Sequence, residues 1–147
     1  MTSTPYALLV HLCGLSLREA ADFHGVRLDT VKSWSAGRHP VPAGAIVELR
    51  GLVRAIDRAA AETLALVAEQ RERGDADKPG SEPPVVYLGL ASDDAEAQSL
   101  GWPCAGARAA VLARVVAGLP GDTAVRIVPR GSFAATAAAL DATLKNR

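Results

Sequence analysis

Residues 15–42 read LSLREAADFHGVRLDTVKSWSAGRHPVP, and this stretch decides the fold of the N-terminal half. Ser16 and Glu19 have the spacing of a capping box, in which each side chain binds the backbone N–H of the other residue. This pattern predicts a helix that begins at about Leu17. Gly25 lies where a helix end favours a positive φ, so the helix is expected to end there.

A second helix is expected directly after a short turn. Val31 and Trp34 have the spacing of one apolar helix face, which predicts a helix from Leu28 to about Ala36, and Gly37 is placed to stop it. Trp34 is in phase with Val31 and is interpreted as a core residue rather than a ligand contact. Two such helices joined by a turn of about three or four residues are the helix-turn-helix arrangement, whose second helix enters the major groove of DNA.

The same stretch resembles the Cro/CI-type (XRE) helix-turn-helix of phage and bacterial repressors. The matching positions follow the spacing of that family without a gap and cover about a fifth of the chain: Leu15, Ser16, Glu19, Ala21, Gly25, Val26, Thr30, Val31, Trp34, Gly37 and Pro40. The resemblance implies a lambda-repressor-like bundle at the N-terminus. Three positions depart from the family pattern. Leu17 lies where the family often has a phosphate-binding glutamine, Arg27 lies where it usually has a small hydroxyl residue that caps the recognition helix, and Ser35 lies where it frequently has a glutamate.

A narrower resemblance takes in more of the chain. The opening Tyr6-Ala7-Leu8-Leu9, the loop over residues 37–42, the long helix after it and a small α/β tail are similar to short dimeric regulators related to anti-CRISPR-associated autoregulators. This similarity implies a homodimer that binds an operator near its own promoter and represses itself.

Composition excludes several other classes of protein. The 147 residues carry a formal net charge of zero, so any DNA-binding surface must be a local basic patch, which a dimer would double. Cys13 and Cys104 have no metal-ligand neighbours in sequence and are expected to be reduced, buried thiols. No apolar run is long enough to span a bilayer, and the N-terminus lacks the pattern of a signal peptide. A cytoplasmic protein without metal or cofactor is therefore expected.

Two further helices are predicted around the motif. Thr4 and Pro5 favour a first helix from Pro5 to about Cys13, whose Leu8, Leu9 and Leu12 are expected to pack beneath the motif. After Pro42, helical spacing continues to about Arg73.

The long helix carries a seam with alternating steps of 3 and 4 residues, the period of two helices that wrap each other. Its residues are Ile46, Leu49, Val53, Ile56, Ala60, Thr63 and Val67. The predicted dimerisation residues are Ile46, Leu49, Val53, Ile56 and Val67. Packing of the same seam on the tail of its own chain is the open alternative.

The remaining sequence predicts a linker and a small α/β unit. Residues 74–84 form a polar stretch rich in proline and glycine. Strands are expected over 85–90 and 124–128, with a short helix capped at 92–94 and a second helix opened by Trp102-Pro103 between them, and a last helix from Ser132 to about Lys145. Since two strands alone are marginal in water, this β-α-β-α unit is a second argument for dimerisation.

The predicted fold is therefore mainly α with a small α/β tail. It consists of an N-terminal helix-turn-helix bundle, a long connecting helix and a C-terminal β-α-β-α dimerisation unit. The predicted domains are residues 1–73, which bind DNA, and residues 85–147, which dimerise, with residues 74–84 as the linker.

The candidate DNA contacts lie at the start of the second motif helix and around it. Base-reading residues are expected on the face opposite Val31 and Trp34, and the repressor family reads bases from positions there. The predicted base-reading residues are Arg27, Leu28, Asp29, Lys32 and Ser33. Expected phosphate contacts are Arg18, Thr30, Arg38 and His39. Asp29 has the alternative role of a helix-capping charge, and Arg27 and Lys32 that of solvated charges.

These observations predict a sequence-specific transcriptional regulator that binds double-stranded DNA as a homodimer on an inverted repeat. The alternative is an antitoxin or adaptor that binds DNA through its N-terminal domain and a protein partner through its tail. An enzyme is not expected, because the chain has no P-loop, no G-x-S-x-G and no H-E-x-x-H motif.

Overall fold

The computed structural model describes residues 3–77 and 85–130. Within these ranges the element order is α1 (Pro5–Leu12), α2 (Leu17–His24), α3 (Leu28–Ser35), α4 (Ala43–Asp77), β1 (Val86–Leu90), α5 (Asp94–Ser99), α6 (Ala105–Gly118) and β2 (Val125–Pro129). The chain is mainly helical with a small two-stranded parallel sheet, which confirms the predicted fold class at that level. Among the described helices, none combines the length and the apolar composition needed to cross a bilayer.

The predicted helix boundaries in the N-terminal half are confirmed. The Ser16 backbone N–H donates to Glu19 Oε2 over 2.7 Å, and the Glu19 N–H donates to Ser16 Oγ over 3.1 Å, which completes the capping box at the start of α2. Gly25 ends α2 with a φ of 67°, and Gly37 follows α3 with a φ of 72°. Both values lie in the left-handed region, where glycine has no Cβ penalty.

The buried face of α1 differs from the prediction. Thr4 caps the helix as expected, because its hydroxyl accepts from the Ala7 N–H. Leu8 and Leu12, however, are 59% and 48% exposed. The buried residues of this segment are Tyr6, Val10 and Cys13, which share one helical face with steps of 4 and 3 residues. The segment therefore has two apolar stripes, one with Leu8 and Leu12 and one with Tyr6, Val10 and Cys13. The stripe that contains Tyr6 packs into the core.

Helix α4 is longer than predicted. It runs for 35 residues, about 50 Å, and includes residues 74–77, which were assigned to the linker. The predicted helix end at about Arg73 was four residues too early, because one glycine in a helix costs only about 1 kcal/mol relative to alanine. Residues 78–84 of the predicted linker lie outside the described residues.

The seam of α4 packs within its own chain. Leu49 and Ile56 are fully buried, Val67 is 3% exposed, and Ile46 and Val53 are partly buried. Leu49 and Ile56 belong to one cluster with residues of α1 and α6. Three of the five predicted dimerisation residues are therefore buried within their own chain and the other two are partly buried, which favours the alternative left open by the sequence. The seam no longer argues for dimerisation, although dimerisation through another surface stays a prediction.

The C-terminal part is a β-α-β unit. The strands β1 and β2 are parallel, with Val86 opposite Val125 and Leu90 opposite Pro129, and α5 and α6 form the crossover between them. Helix α6 begins at Ala105 and is capped by the Cys104 side chain, so the predicted opening at Trp102-Pro103 was two to three residues too early. The last predicted helix, from Ser132 to about Lys145, lies outside the described residues.

One hydrophobic core joins the two parts of the chain. Leu88 of β1 and Val111 and Val115 of α6 are buried in the same cluster as Leu49 and Ile56 of α4. Arg114 of α6 reinforces this packing at its edge. Its Nε donates to Asp57 Oδ1 of α4 over 2.7 Å, and its Nη2 donates to the Leu12 carbonyl at the end of α1 over 3.3 Å.

A backbone contact between two glycines lies at the same junction. A Cβ built on Gly106 would lie 2.0 Å from the Gly14 carbonyl oxygen, and a Cβ on Gly14 would lie 2.3 Å from the Gly106 oxygen. Since both obstacles are backbone atoms, a rotamer change cannot relieve the clash. The start of α6 can approach the α1–α2 turn only because both residues lack a side chain.

We therefore expect Gly106→Ala to lower the free energy of unfolding by about 1–3 kcal/mol, the range of an overpacked core site. Gly51→Ala is the matched control, since Gly51 lies in α4 and a Cβ added there would meet nothing within 4 Å. It should raise the free energy by about 0.5–1 kcal/mol through helix propensity alone. Urea unfolding of both variants measures the difference, and equal effects would contradict the role of the glycine contact.

Candidate nucleic-acid interface

Helix α3 presents one face to the core and the other to solvent. Val31 is fully buried and Trp34 is 7% exposed, so the prediction that Trp34 is a core residue is confirmed. Arg27, Asp29 and Lys32 are exposed. The side of α3 that faces solvent thus carries two cations and one anion, all within its first turns or directly before them.

The loop after α3 is tied to the helix by two hydrogen bonds. The Ser33 hydroxyl and His39 Nδ1 are 2.5 Å apart, and the Arg38 N–H donates to the Ser33 carbonyl over 2.9 Å. These contacts bring five of the nine predicted DNA-contacting residues around one open depression in the surface, which is lined by Asp29, Thr30, Ser33, Trp34, Arg38 and His39.

Two of the predicted base-reading residues are less available than expected. Leu28 is partly buried and packs against the hydrophobic core, which reduces the area that could meet a thymine methyl group. The Ser33 hydroxyl is already engaged with His39. The residues of this set that remain exposed are Arg27, Asp29 and Lys32.

Arg27 occupies the N-cap position of α3 but makes no side-chain capping hydrogen bond. Its guanidinium is therefore not used to close the helix, and it lies exposed at the positive end of the helix dipole. Asp29 is exposed in the first turn, where its charge is favourable, so its alternative role as a dipole-stabilising residue stays open. Arg18 is exposed in the first turn of α2, outside the depression.

An aromatic cluster supports α3 from beneath, and no sequence motif predicted it. The Tyr6 and Trp34 rings meet edge to face with centroids 5.6 Å apart, and the His24 ring lies 5.8 Å from Tyr6 and 6.0 Å from Trp34. His24 Nδ1 lies 2.6 Å from Glu48 Oε2. One ring each from α1, α2 and α3 and a carboxylate from α4 thus fix the orientation of the helices. The only signal in the sequence is that each of the first three helices carries an aromatic residue.

The tyrosine in this cluster has an unusual environment. Its side chain is 1% exposed, and its hydroxyl has no hydrogen-bond partner among the described residues. Burial, with a smaller contribution from the negative charge of Glu48, raises the pKa of Tyr6 from 10.0 to about 12. Burial also raises the pKa of the Cys13 thiol, to about 11.

Residues 3–77 and 85–130 contain no group of three or more His, Cys, Asp or Glu side chains placed to hold a metal ion. Comparison of the chain with models of protein families, with curated proteins and with solved structures found no match in any of the three.

We expect Tyr6→Phe to raise the free energy of unfolding by about 1 kcal/mol at neutral pH, because it removes a buried hydroxyl that has lost its water without gaining a partner. Between about pH 10 and 12 the folded wild type keeps a phenolic proton that the unfolded chain gives up, so its stability falls as pH rises. The variant should lack this part of the loss of stability at high pH and keep the part due to Cys13. Urea unfolding of the wild type and the variant from pH 7 to 12 measures the free energy of unfolding of each. If that free energy fell equally steeply with pH in the two proteins, the raised pKa of Tyr6 would not be the cause.

Proposed function

We propose that this protein is a sequence-specific DNA-binding transcriptional regulator, with α2 and α3 as a lambda-repressor-like helix-turn-helix and α3 as the recognition helix. The observation that carries the proposal is the division of α3 into a buried face with Val31 and Trp34 and an exposed face with Arg27, Asp29 and Lys32. A helix held rigidly by its apolar side with charges on the other side is the form in which the major groove is read.

Each exposed residue has a defined role in this proposal. Arg27 donates to guanine O6 and N7, and Asp29 accepts from the amino group of a cytosine. Lys32 lies one turn further along α3 and supplies positive charge at the groove. Arg38 and His39 contact phosphates from the loop, where they set the register of the helix on the duplex without reading sequence.

The proposal includes a homodimer on an inverted repeat. The net charge of the chain is zero, so one copy brings only the local cations of α3 and its loop to the DNA. Two copies would double these contacts, and their recognition helices would read half-sites about 34 Å apart, one turn of the duplex. An operator close to the protein's own promoter, with the protein as an autorepressor, fits this arrangement.

Fluorescence anisotropy with duplexes from the protein's own upstream region tests the proposal. Arg27→Ala should weaken binding to the preferred duplex by about 10-fold or more and relax the sequence preference, because a bidentate guanine contact is worth about 1–3 kcal/mol. Lys32→Ala should weaken binding to all duplexes. If Lys32 meets a phosphate, its loss should also reduce the salt dependence by about one unit.

Arg126→Ala is the matched control, because Arg126 is an exposed arginine on β2, away from α3. It should leave the affinity and the sequence preference unchanged. Binding that random competitor DNA removes as readily as specific DNA would contradict the proposal, as would equal losses for Arg27→Ala and Arg126→Ala.

A further inference from the structure

The solvent face of α4 has a charge pattern that the proposed function does not use. Its buried residues Leu49, Ile56 and Val67 lie on one side, and the opposite side carries a second row with helical spacing. The row consists of Arg50, Arg54, Arg58, Ala61, Ala65, Ala68 and Glu72, all of them exposed, with Glu69 at its flank.

Charge along this row changes sign from one end to the other. The three arginines occupy the N-terminal half, alanines occupy the middle, and Glu69 and Glu72 occupy the C-terminal half. Among the described residues, no carboxylate pairs with Arg50, Arg54 or Arg58. Glu69 pairs with Arg73 one turn further along the helix, whereas Glu72 has no ion-pair partner in the described part of the chain.

We propose that two copies of the chain pack α4 against α4, antiparallel, across this face and about a two-fold axis that passes near Ala61. Arg50 lies 11 residues before Ala61 and Glu72 lies 11 residues after it, about 16 Å along the helix in each direction. The two-fold axis therefore places Arg50 of each copy opposite Glu72 of the other. Arg54 meets the position of Ala68, next to Glu69.

The middle of the face suits close packing of two helices. Ala61, Ala65 and Ala68 follow each other with steps of 4 and 3 residues, so they form one strip along the helix. The distance between packed helix axes depends on the side chains at the contact, and small side chains permit the short end of the range of about 8–10 Å. The alanines allow the approach, and the charges at the two ends select the antiparallel direction.

The pattern favours a second copy of the chain over the two other arrangements that an arginine row permits. A parallel pair would bring Arg50, Arg54 and Arg58 of one copy against the same residues of the other, so like charges would meet. A DNA backbone along the whole face would meet Glu69 and Glu72, which repel phosphates. Only the antiparallel pair places each charged end of the row opposite residues of the opposite charge.

This inference does not require that the protein bind DNA. It supplies the dimer that the proposed function needs, and it replaces the seam around Ile56, which the chain covers itself. The oligomeric state is measured without DNA, so a failed interface and a failed DNA-binding proposal give different results.

Sedimentation equilibrium of the full chain at low salt, with charge-reversal variants, tests the interface. Arg50→Glu and Glu72→Arg each create two like-charge contacts in a symmetric dimer, so each should raise the dimer dissociation constant by about tenfold. The double variant Arg50→Glu with Glu72→Arg exchanges both signs, and its dissociation constant should return to within about threefold of the wild-type value. Arg126→Glu, with the same charge change on β2, should have no effect.

Cross-linking tests the position of the two-fold axis. Ala61→Cys should form a disulfide-linked dimer under mild oxidation, because only residues near the axis come within the Cα distance of about 4.4–6.8 Å that a disulfide needs. Ala113→Cys, an exposed position on α6, is the control and should stay monomeric on a non-reducing gel. The two native cysteines are buried and present in both variants.

A wild-type chain that is monomeric at about 100 μM would overturn the interface, since a regulator dimer needs a dissociation constant well below that. A dimer that is insensitive to Arg50→Glu, or that the double variant does not restore, would also overturn it. If Arg50→Glu weakened DNA binding and left the oligomeric state unchanged, the arginine row would be a phosphate contact and the proposal would be wrong.

Discussion

Burial of the inner face of α4 is the interaction on which the rest of the structure depends. Leu49 and Ile56 are fully covered, from one side by α1 and from another by α6. Each fully buried aliphatic side chain stabilises the fold by roughly 1.5–3 kcal/mol. The short helices α1, α2 and α3 have eight residues each, too few to be stable alone, so they hold their positions by packing and not by helix propensity. The orientation of α3, and with it the candidate interface, follows from this helix.

Local signals in the sequence predicted most of the helix ends correctly, because those signals act over three or four residues. The Ser16–Glu19 capping box and the glycines at 25 and 37 are of this kind. The choice between two apolar stripes on α1 was wrong because it depends on which residue, Tyr6 or Leu8, packs against the rings of His24 and Trp34 on the neighbouring helices. The apolar seam of α4 was identified from its period of 3.5 residues, but the element that packs on it was not. Such a period indicates only that the face is buried, and it is the same whether the partner is α6 or a second chain.

The sequence predicted part of the candidate site, namely the part that depends on helical spacing alone. The exposed face of α3 follows from the burial of Val31 and Trp34, which helical spacing alone implies. The contact between Ser33 and His39 depends on how the loop folds back after Gly37, and the cluster of Tyr6, His24 and Trp34 depends on the angles between three helices. Such contacts join residues up to 28 positions apart, so no local pattern in a single sequence records them.

The backbone contact between Gly14 and Gly106 also bears on how freely the two parts of this chain could be exchanged during evolution. The N-terminal helices contribute one glycine of this contact and the C-terminal β-α-β unit contributes the other, and each position excludes even a methyl group. N-terminal helices joined to a different C-terminal unit would lose the backbone that fits against Gly14, so the two parts are expected to be inherited together.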